Sequence, residues 1–301
     1  METKNGYVVA LGTFDGLHLG HKAVLTAALR FKNLIPVAVT FDEPPKRHTS
    51  GAFIPMLMSA NRKNCLLKEL GFAKIDVLDY NEVHDIKAEE FLKILFEKYD
   101  IKAVVCGFNY RFGENGSGDA ALLSSFCHER NAEIVICPAT DVGGQTISST
   151  LIRGLISDGS VDFASTLMHE PFSFESEVLH GEQRGRQMGF PTINQPLDEN
   201  LVTPKFGVYA SVAVVNGKEY PAVTNIGIRP TFILKKPQSE TYIIGFSGDL
   251  YGKKVTIKLL KYLRPETRFT GLNELVTAIE GNAAEATALF SDYKKETQTI
   301  I

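Results

Sequence analysis

Long apolar runs and an export signal are both missing from this sequence, and each absence removes a class of protein. No run approaches the roughly 20 apolar residues that a membrane-spanning helix needs, so no membrane partner is expected. The start, METKNGYVVALG, carries no basic segment ahead of a long apolar stretch. That pattern predicts no secretory signal and a cytoplasmic location.

Cysteine is scarce, and the four cysteines, Cys65, Cys106, Cys127 and Cys137, form no CxxC pair. Their scattered positions and apolar surroundings predict reduced, buried thiols rather than disulfides. Five of the histidines show no metal-ligand spacing and are expected at the surface or in packing, namely His48, His84, His128, His169 and His180.

An excess of positive charge is also absent, because the formal net charge is −3 and the isoelectric point is near 6.2. A protein that coats DNA or RNA carries a strong positive field, so no nucleic-acid partner is expected. A local basic site for a small anionic ligand stays open.

No GxxxxGK[ST] phosphate loop occurs. The nearest string, GDLYGKKV at 248–255, has the wrong spacing and lacks the hydroxyl residue. Any kinase chemistry in this chain must therefore use a different phosphate cradle.

The 301 residues are 44% hydrophobic, enough for about two domains. The first half alternates short apolar runs with helix-like stretches, which predicts a parallel sheet with helices on both faces. Ligands bind such sheets at the carboxyl ends of the strands. The five expected strands are YVVALG, IPVAVTF, KIDVLDY, KAVVCGF and AEIVICPA.

The second half consists of short β-rich runs separated by glycine turns, such as Asn216-Gly217, which predicts an antiparallel barrel or sandwich. One helix, 272–295, follows, and Gly281 is expected to break or bend it. The predicted domains are 1–158 and 171–301, joined by a short helical connector over 159–170.

The string GTFDGLHLGH, residues 12–21, follows the first apolar run. Glycines there let a ligand approach the backbone, and free N–H groups at the start of a helix attract anions. His18 and His21 are three residues apart, so both can face one ligand. Imidazoles beside phosphate oxygens can offset charge that develops during transfer. By themselves the histidines could also be ordinary surface residues.

The same string resembles the HxGH nucleotidyltransferase signature, and its longer form resembles the prokaryotic bifunctional riboflavin kinase/FAD synthetase family. Three further stretches resemble that family in order: GFNYRFGENGSGD at 107–119, ISSTLIRGLISDG at 147–159, and GRQMGFPTIN at 185–194. The resemblance implies an N-terminal Rossmann-like nucleotidyltransferase domain. It also implies a C-terminal antiparallel β-barrel of riboflavin kinase type with a terminal helix.

For the first domain the resemblance implies that FMN attacks the α-phosphorus of ATP. It makes His18, His21 and Arg153 catalytic. It assigns ATP binding to Gly12, Phe14, Asp15, Gly20, Ser149 and Thr150. It assigns flavin binding to Asn109, Tyr110 and Phe112, and also to Arg264, which lies in the second domain.

For the second domain the resemblance makes Glu240 the base that takes the riboflavin hydroxyl proton. Thr192 and Asn194 are two residues apart on an extended segment, so both can serve one Mg²⁺. ATP binding in this domain is assigned to Gly185, Arg186, Gly189 and Pro191.

Tyr242 stands where the family usually has His, and Gly245 where it has Asp or Asn. These two changes favour a barrel without kinase activity, whereas the presence of Thr192, Asn194 and Glu240 favours a kinase. The leading hypothesis is a bifunctional enzyme that makes FMN from riboflavin and FAD from FMN, with ATP and Mg²⁺. Two alternatives stay open, an adenylyltransferase whose barrel is structural or only binds flavin, and a non-catalytic flavin sensor. The expected partners are small molecules, and the sequence is compatible with a weak homo-oligomer.

Overall fold

A computed structural model of the chain describes residues 6–49, 51–181, 189–228 and 236–299. The chain divides into two compact units, Met1–Ser149 and Thr150–Ile301. This division assigns most of the fifth predicted helix and the connector to the second unit. The domain limits drawn from the sequence stay a prediction.

The first unit contains a five-stranded parallel sheet, as predicted. Its strands lie in the order β3-β2-β1-β4-β5. The chain therefore changes direction across the sheet between β1 and β4, the position at which open α/β sheets bind ligands. The strands are β1 (Tyr7–Leu11), β2 (Ile35–Phe41), β3 (Lys74–Leu78), β4 (Ile101–Gly107) and β5 (Glu133–Cys137).

Helices connect these strands and cover both faces of the sheet. They are α1 (Leu19–Leu29), α2 (Lys46–Thr49), α3 (Ala60–Glu69), α4 (Tyr80–Val83), α5 (Ala88–Lys98) and α6 (Ala120–Glu129). Val8, Val9, Ala10 and Leu11 on β1 are almost entirely buried, because a strand covered on both faces has no polar side. Ser59 is the N-cap of α3, because its side chain accepts a hydrogen bond from the Arg62 amide at 3.2 Å.

A short hairpin, β6 (Asp141–Val142) with β7 (Gln145–Thr146), precedes helix α7 (Ser149–Ser157). Helix α8 (Val161–Leu167) then lies in the predicted connector.

The second unit contains a six-stranded antiparallel sheet in the order β8-β13-β10-β11-β12-β9. A bridge between Leu179, just after β8, and Asn194 of β9 joins the two ends of this order, so the sheet closes into a barrel. This is the predicted architecture. The strands are β8 (Ser173–Glu177), β9 (Thr192–Pro196), β10 (Gly207–Val215), β11 (Lys218–Ile228), β12 (Pro237–Ile243) and β13 (Lys254–Arg264).

Side chains alternate between the inside and the outside of the barrel. On β12, Ser239, Thr241 and Ile243 are buried, whereas Glu240 and Tyr242 between them are only partly covered. Inside, the hydroxyls of Ser211 and Thr224 lie 2.7 Å apart, and those of Thr224 and Thr241 2.9 Å apart. A hydroxyl chain of this kind satisfies polar groups that have no access to water.

The last helix, α9 (Leu272–Thr299), runs without interruption through Gly281, so the expected break is absent. A glycine inside a helix costs only about 1 kcal/mol relative to alanine, and the packing of the helix outweighs that cost. One face of α9 covers the outside of β10 and β11, where Ala286 joins Val208, Ala210 and Val223 in one cluster.

The cysteine prediction is right for three positions and wrong for one. Cys106, Cys127 and Cys137 are buried free thiols, but Cys65 is exposed. It lies on α3 next to Leu66 and Leu67, and those two leucines form the buried face instead. In the part of the chain that the structure describes, no helix has the length and apolar character that crossing a membrane requires.

Glu219 on β11 fastens α9 to the barrel. Its carboxylate accepts hydrogen bonds from Lys258 at 3.0 Å, Tyr293 at 3.1 Å and Lys294 at 2.9 Å. Burial opposes ionisation of Glu219, but the hydrogen bonds from the two lysines outweigh it and lower the pKa. The carboxylate is therefore stabilised by folding.

Glu219→Gln should lower the free energy of unfolding of the barrel by about 1–3 kcal/mol, because it weakens charged hydrogen bonds. This decrease in the free energy of unfolding should have its full size above the ordinary carboxyl pKa. It should fade as the pH falls through the lowered pKa of the folded state. Calorimetric melting at several pH values measures both effects. Glu280→Gln, an exposed change on α9, is the matched control, and equal melting of the two variants would contradict the assignment.

Candidate active sites

The turn between β1 and α1 has an unusual backbone. Phe14, Gly16 and Leu17 all have positive φ values, of 51°, 83° and 36°. Residues other than glycine rarely adopt this region, and such strain persists only where the surroundings impose it. A Cβ on Gly12 would lie 2.7 Å from the buried Phe14 ring, so glycine is required there by close packing.

Three other segments hold this turn in place. The Thr40 hydroxyl donates to the Thr13 carbonyl at 2.9 Å, and the Ser149 hydroxyl donates to the Asp15 carbonyl at 3.0 Å. The Asp15 carboxylate, only 5% exposed, accepts from the Leu57 amide at 2.8 Å. Its observed role is thus to anchor the turn, and its assignment to ATP binding stays a prediction.

His18 and His21 lie together, as their spacing predicts. Their rings stack with centroids 3.6 Å apart, and the edge of Phe14 supports His21 at 5.5 Å. His18 is the N-cap of α1, and its Nδ1 accepts from the His21 amide at 3.3 Å. A Cβ on Gly20 would lie 3.2 Å from the His18 ring, so this glycine leaves room beside the imidazole.

Lys63, a residue that was not predicted from the sequence, affects the electrostatics at the carboxyl ends of the strands. Burial lowers the pKa of His21 well below its ordinary value, and the charges of His18 and Lys63 lower it further. Lys63 on α3 is itself only 3% exposed, and burial lowers its pKa to about 8. The signal was available, because Lys63 shares the apolar helix face of Leu66 and Leu67.

The predicted flavin loop follows β4, the strand next to β1. Asn109 is exposed there, just beyond the strand. Tyr110 and Phe112 stack at 5.7 Å, and burial raises the pKa of Tyr110. Phe112 is only 5% exposed and belongs to the hydrophobic core, so packing is its observed role and flavin contact stays a prediction. Phe108, 49% exposed, is a further aromatic ring of this loop and is not among the predicted flavin contacts.

Helix α7 carries the remaining predicted residues of the first site. Ser149 and Arg153 are one helical turn apart, and therefore share a face of α7. Thr150 is exposed and Arg153 is partly buried.

The residues predicted for the second site lie on the outside of the barrel, where β9 pairs with β12. Asn194 lies opposite Glu240, and Thr192 lies opposite Tyr242. The Thr192 hydroxyl donates to the Glu240 carboxylate at 3.1 Å. A Cβ on Gly181 would lie 2.3 Å from the Asn194 amide nitrogen, so this glycine makes space for the asparagine. The structure thus brings together the three residues predicted from two distant motifs.

These three residues offer a hydroxyl, an amide and a carboxylate on one face. Such hard oxygen donors are the ligands that Mg²⁺ prefers, and Mg²⁺ keeps several waters, so few protein ligands suffice. The donor set therefore fits a magnesium ion. Among the residues that the structure describes, no group of three or more His, Cys, Asp or Glu side chains is placed to hold a metal.

The structure describes only some of the other residues predicted for the barrel. Gly185 and Arg186 lie outside the described residues. Gly189, with φ of 84°, and the exposed Pro191 lead into β9. Arg264 ends β13, and its guanidinium lies 5.3 Å from the centre of the Phe269 ring.

Two family models match the chain, one described as FAD synthetase over residues 1–151 and one as riboflavin kinase over residues 168–290. A bifunctional riboflavin kinase/FMN adenylyltransferase from Bacillus subtilis is 32% identical over 297 residues, covering 96% of this chain and 94% of that protein. This chain belongs to the bifunctional riboflavin kinase/FMN adenylyltransferase family.

Two further proteins are similar to this chain over nearly its whole length. A riboflavin kinase/FMN adenylyltransferase from Listeria monocytogenes is 32% identical and covers 94% of this chain and 92% of its own length. A solved structure from Streptococcus pneumoniae, described as a macrolide-efflux protein, has a TM-score of 0.86 at 29% identity and covers 95% of each chain. The likeness to the family therefore spans both units.

The two departures from the family pattern are compatible with the local structure. Gly245 has φ of 72° in the turn after β12. Asp and Asn, the usual family residues, are the side-chain-bearing types that best tolerate this region, so glycine preserves the turn. Tyr242 packs edge-on against Phe190 at 5.4 Å, beside Thr192.

His18→Phe should raise the pKa of His21, because the variant keeps a stacked ring but removes a charge. The pKa should nevertheless stay below its ordinary value, since burial is the larger cause. Nitrogen-detected NMR titration of His21 measures the change. His128→Phe, at an exposed position on α6, is the control, and an unchanged or lower pKa in His18→Phe would contradict this electrostatic account.

Proposed function

We propose that the barrel phosphorylates riboflavin to FMN and that the α/β unit adenylylates FMN to FAD, each with its own ATP. Family membership over both halves favours this function over an adenylyltransferase with an inert barrel, and over a sensor. The observation that carries the proposal at the level of residues is the contact of Glu240 with Thr192. It supplies a carboxylate and a hard oxygen donor at one point of the barrel.

In the α/β unit, an FMN phosphate oxygen attacks the α-phosphorus of ATP. The new P–O bond forms as the bond from the α-phosphorus to the bridging oxygen breaks, and pyrophosphate leaves with that electron pair. No protein nucleophile is needed, because alignment and charge stabilisation account for the catalysis.

His18 and His21 serve this step as hydrogen-bond donors to the phosphates at the start of α1. The lowered pKa of His21 supports a neutral ring, which donates one N–H without taking a proton from solvent. The helix N-terminus adds a partial positive charge. Ser149, Thr150 and Arg153 at the start of α7 contribute hydroxyls and a guanidinium suited to a polyphosphate.

In the barrel, the Glu240 carboxylate takes the proton of the riboflavin 5′-hydroxyl. That oxygen attacks the γ-phosphorus of ATP, the bond to the bridging β–γ oxygen breaks, and ADP leaves. Thr192 and Asn194 would hold Mg²⁺, which neutralises phosphate charge when bound. The hydrogen bond from Thr192 orients the Glu240 carboxylate, and a general base must be held within reach of the proton that it takes.

The two half-reactions can be tested separately on the full chain. Riboflavin with ATP and Mg²⁺ should give FMN and then FAD, and FMN with ATP and Mg²⁺ should give FAD, as resolved by chromatography. Excess EDTA should stop both reactions. FAD formed only from supplied FMN would support an inert barrel, and no product from either flavin would support a sensor.

Glu240→Gln should reduce FMN formation roughly a hundredfold or more, because it removes the base. FAD formation from supplied FMN should persist. Glu175→Gln, an exposed carboxylate of the same barrel on β8, is the matched control. Equal loss in the two variants, or loss of both activities in folded Glu240→Gln, would overturn the assignment of Glu240.

His21→Ala should have the opposite effect. FAD formation from FMN should fall roughly a hundredfold, the size expected for a lost transition-state donor, while FMN formation continues. His128→Ala tests a surface histidine of the same unit. If His21→Ala left FAD formation intact, the first site would lie elsewhere.

A further inference from the structure

Lys63 is a buried cation with no part in the function proposed above. It lies on the inner face of α3 and is 3% exposed. Lysine is almost never fully buried without a partner, because removing an ammonium from water is costly. Its position therefore requires an explanation from its surroundings.

The partners of Lys63 are the ends of two strands. Its Nζ donates to the Thr13 carbonyl at 3.3 Å and also to the Phe41 carbonyl. Thr13 begins the strained turn after β1, and Phe41 ends β2. One ammonium thus joins two neighbouring strands at the edge where the sheet meets its ligand.

The Thr13 carbonyl receives a second donor, the Thr40 hydroxyl at 2.9 Å. Two donors on one carbonyl fix the orientation of that peptide group, and with it the direction of the turn that follows. The turn leads to His18, and the Asp15 carboxylate within it attracts Lys63, as does Asp42 beyond β2. Lys63 therefore acts on the site through the backbone that carries the imidazoles.

We infer that Lys63 is a positioning residue for adenylyl transfer, whose ammonium holds the turn after β1 in its ligand-binding shape and supplies fixed positive charge beside the triphosphate. The inference rests on the proposed function of the α/β unit. A neutral amine in the same place would be a weaker donor and would attract no anion.

This role predicts a particular pH dependence. The titratable groups that interact with Lys63 are Asp15, Asp42 and His21, and burial outweighs the two carboxylates to lower its pKa to about 8. The ammonium is present below that pH and lost above it. For the wild-type chain, kcat/KM for ATP in FAD formation should therefore fall as the pH rises through about 8.

Lys63→Met is the decisive variant. It should lower kcat/KM for ATP in FAD formation roughly tenfold or more, the effect of losing a preorganised charge. In this variant, kcat/KM for ATP should not change with pH over the range in which the wild-type value falls. FMN formation from riboflavin in the same variant should be unchanged, which shows that the chain is folded. Lys68→Met, exposed on the same helix, should behave as the wild type.

Lys63→Arg provides a second test, because a guanidinium stays charged at every accessible pH. If Lys63→Arg forms FAD, its kcat/KM for ATP should also show no fall near the pKa of the lysine. The inference is overturned if Lys63→Met matches the wild type in kcat/KM for ATP. It is also overturned if kcat/KM of this variant still falls as the pH rises through about 8, or if both activities disappear together. A wild-type chain that makes no FAD would instead overturn the proposed function.

Discussion

The turn after β1 is a strained piece of backbone whose shape is imposed by its neighbours. Positive φ values at Phe14, Gly16 and Leu17 are unfavourable in isolation. Hydrogen bonds from Thr40, Lys63 and Ser149, and the Asp15 contact with Leu57, come from four other points of the fold. The stacked histidines depend on this arrangement, because the turn leads directly into the helix that carries them.

In the barrel, the positions of the predicted site residues are fixed in a different way. The residues predicted for its site lie on regular strands, where the pairing register decides which side chains meet. Because β9 and β12 pair with Asn194 opposite Glu240, the predicted metal ligands and the predicted base share one face. The alternation that places Glu240 outside also places Thr241 in the buried hydroxyl chain. The orientation of the predicted base and the stability of the barrel are thus linked through one strand.

Much of the architecture follows from local patterns. The continuous apolar runs predict strands covered on both faces, and the structure confirms the five-stranded parallel sheet. The short β-rich runs of the second half, separated by glycine turns, predict an antiparallel barrel or sandwich, and the structure confirms an antiparallel sheet. The departures are local: Gly281 does not break α9, although a bend there stays a prediction, and Cys65 is exposed. In both cases the packing of a whole helix decides the outcome, and a single residue type carries little information about it.

The sequence by itself determined the class of each half and the chemistry of its motifs, because periodicity and spacing are properties of the chain. It placed His18 and His21 on one helical turn, and Thr192 and Asn194 on one face of a strand. Tertiary structure alone decided that Glu240 meets Thr192 across 48 residues, and that Lys63 bridges the ends of β1 and β2. Contacts between distant segments depend on how the strands are ordered, and no local pattern of residues encodes that order.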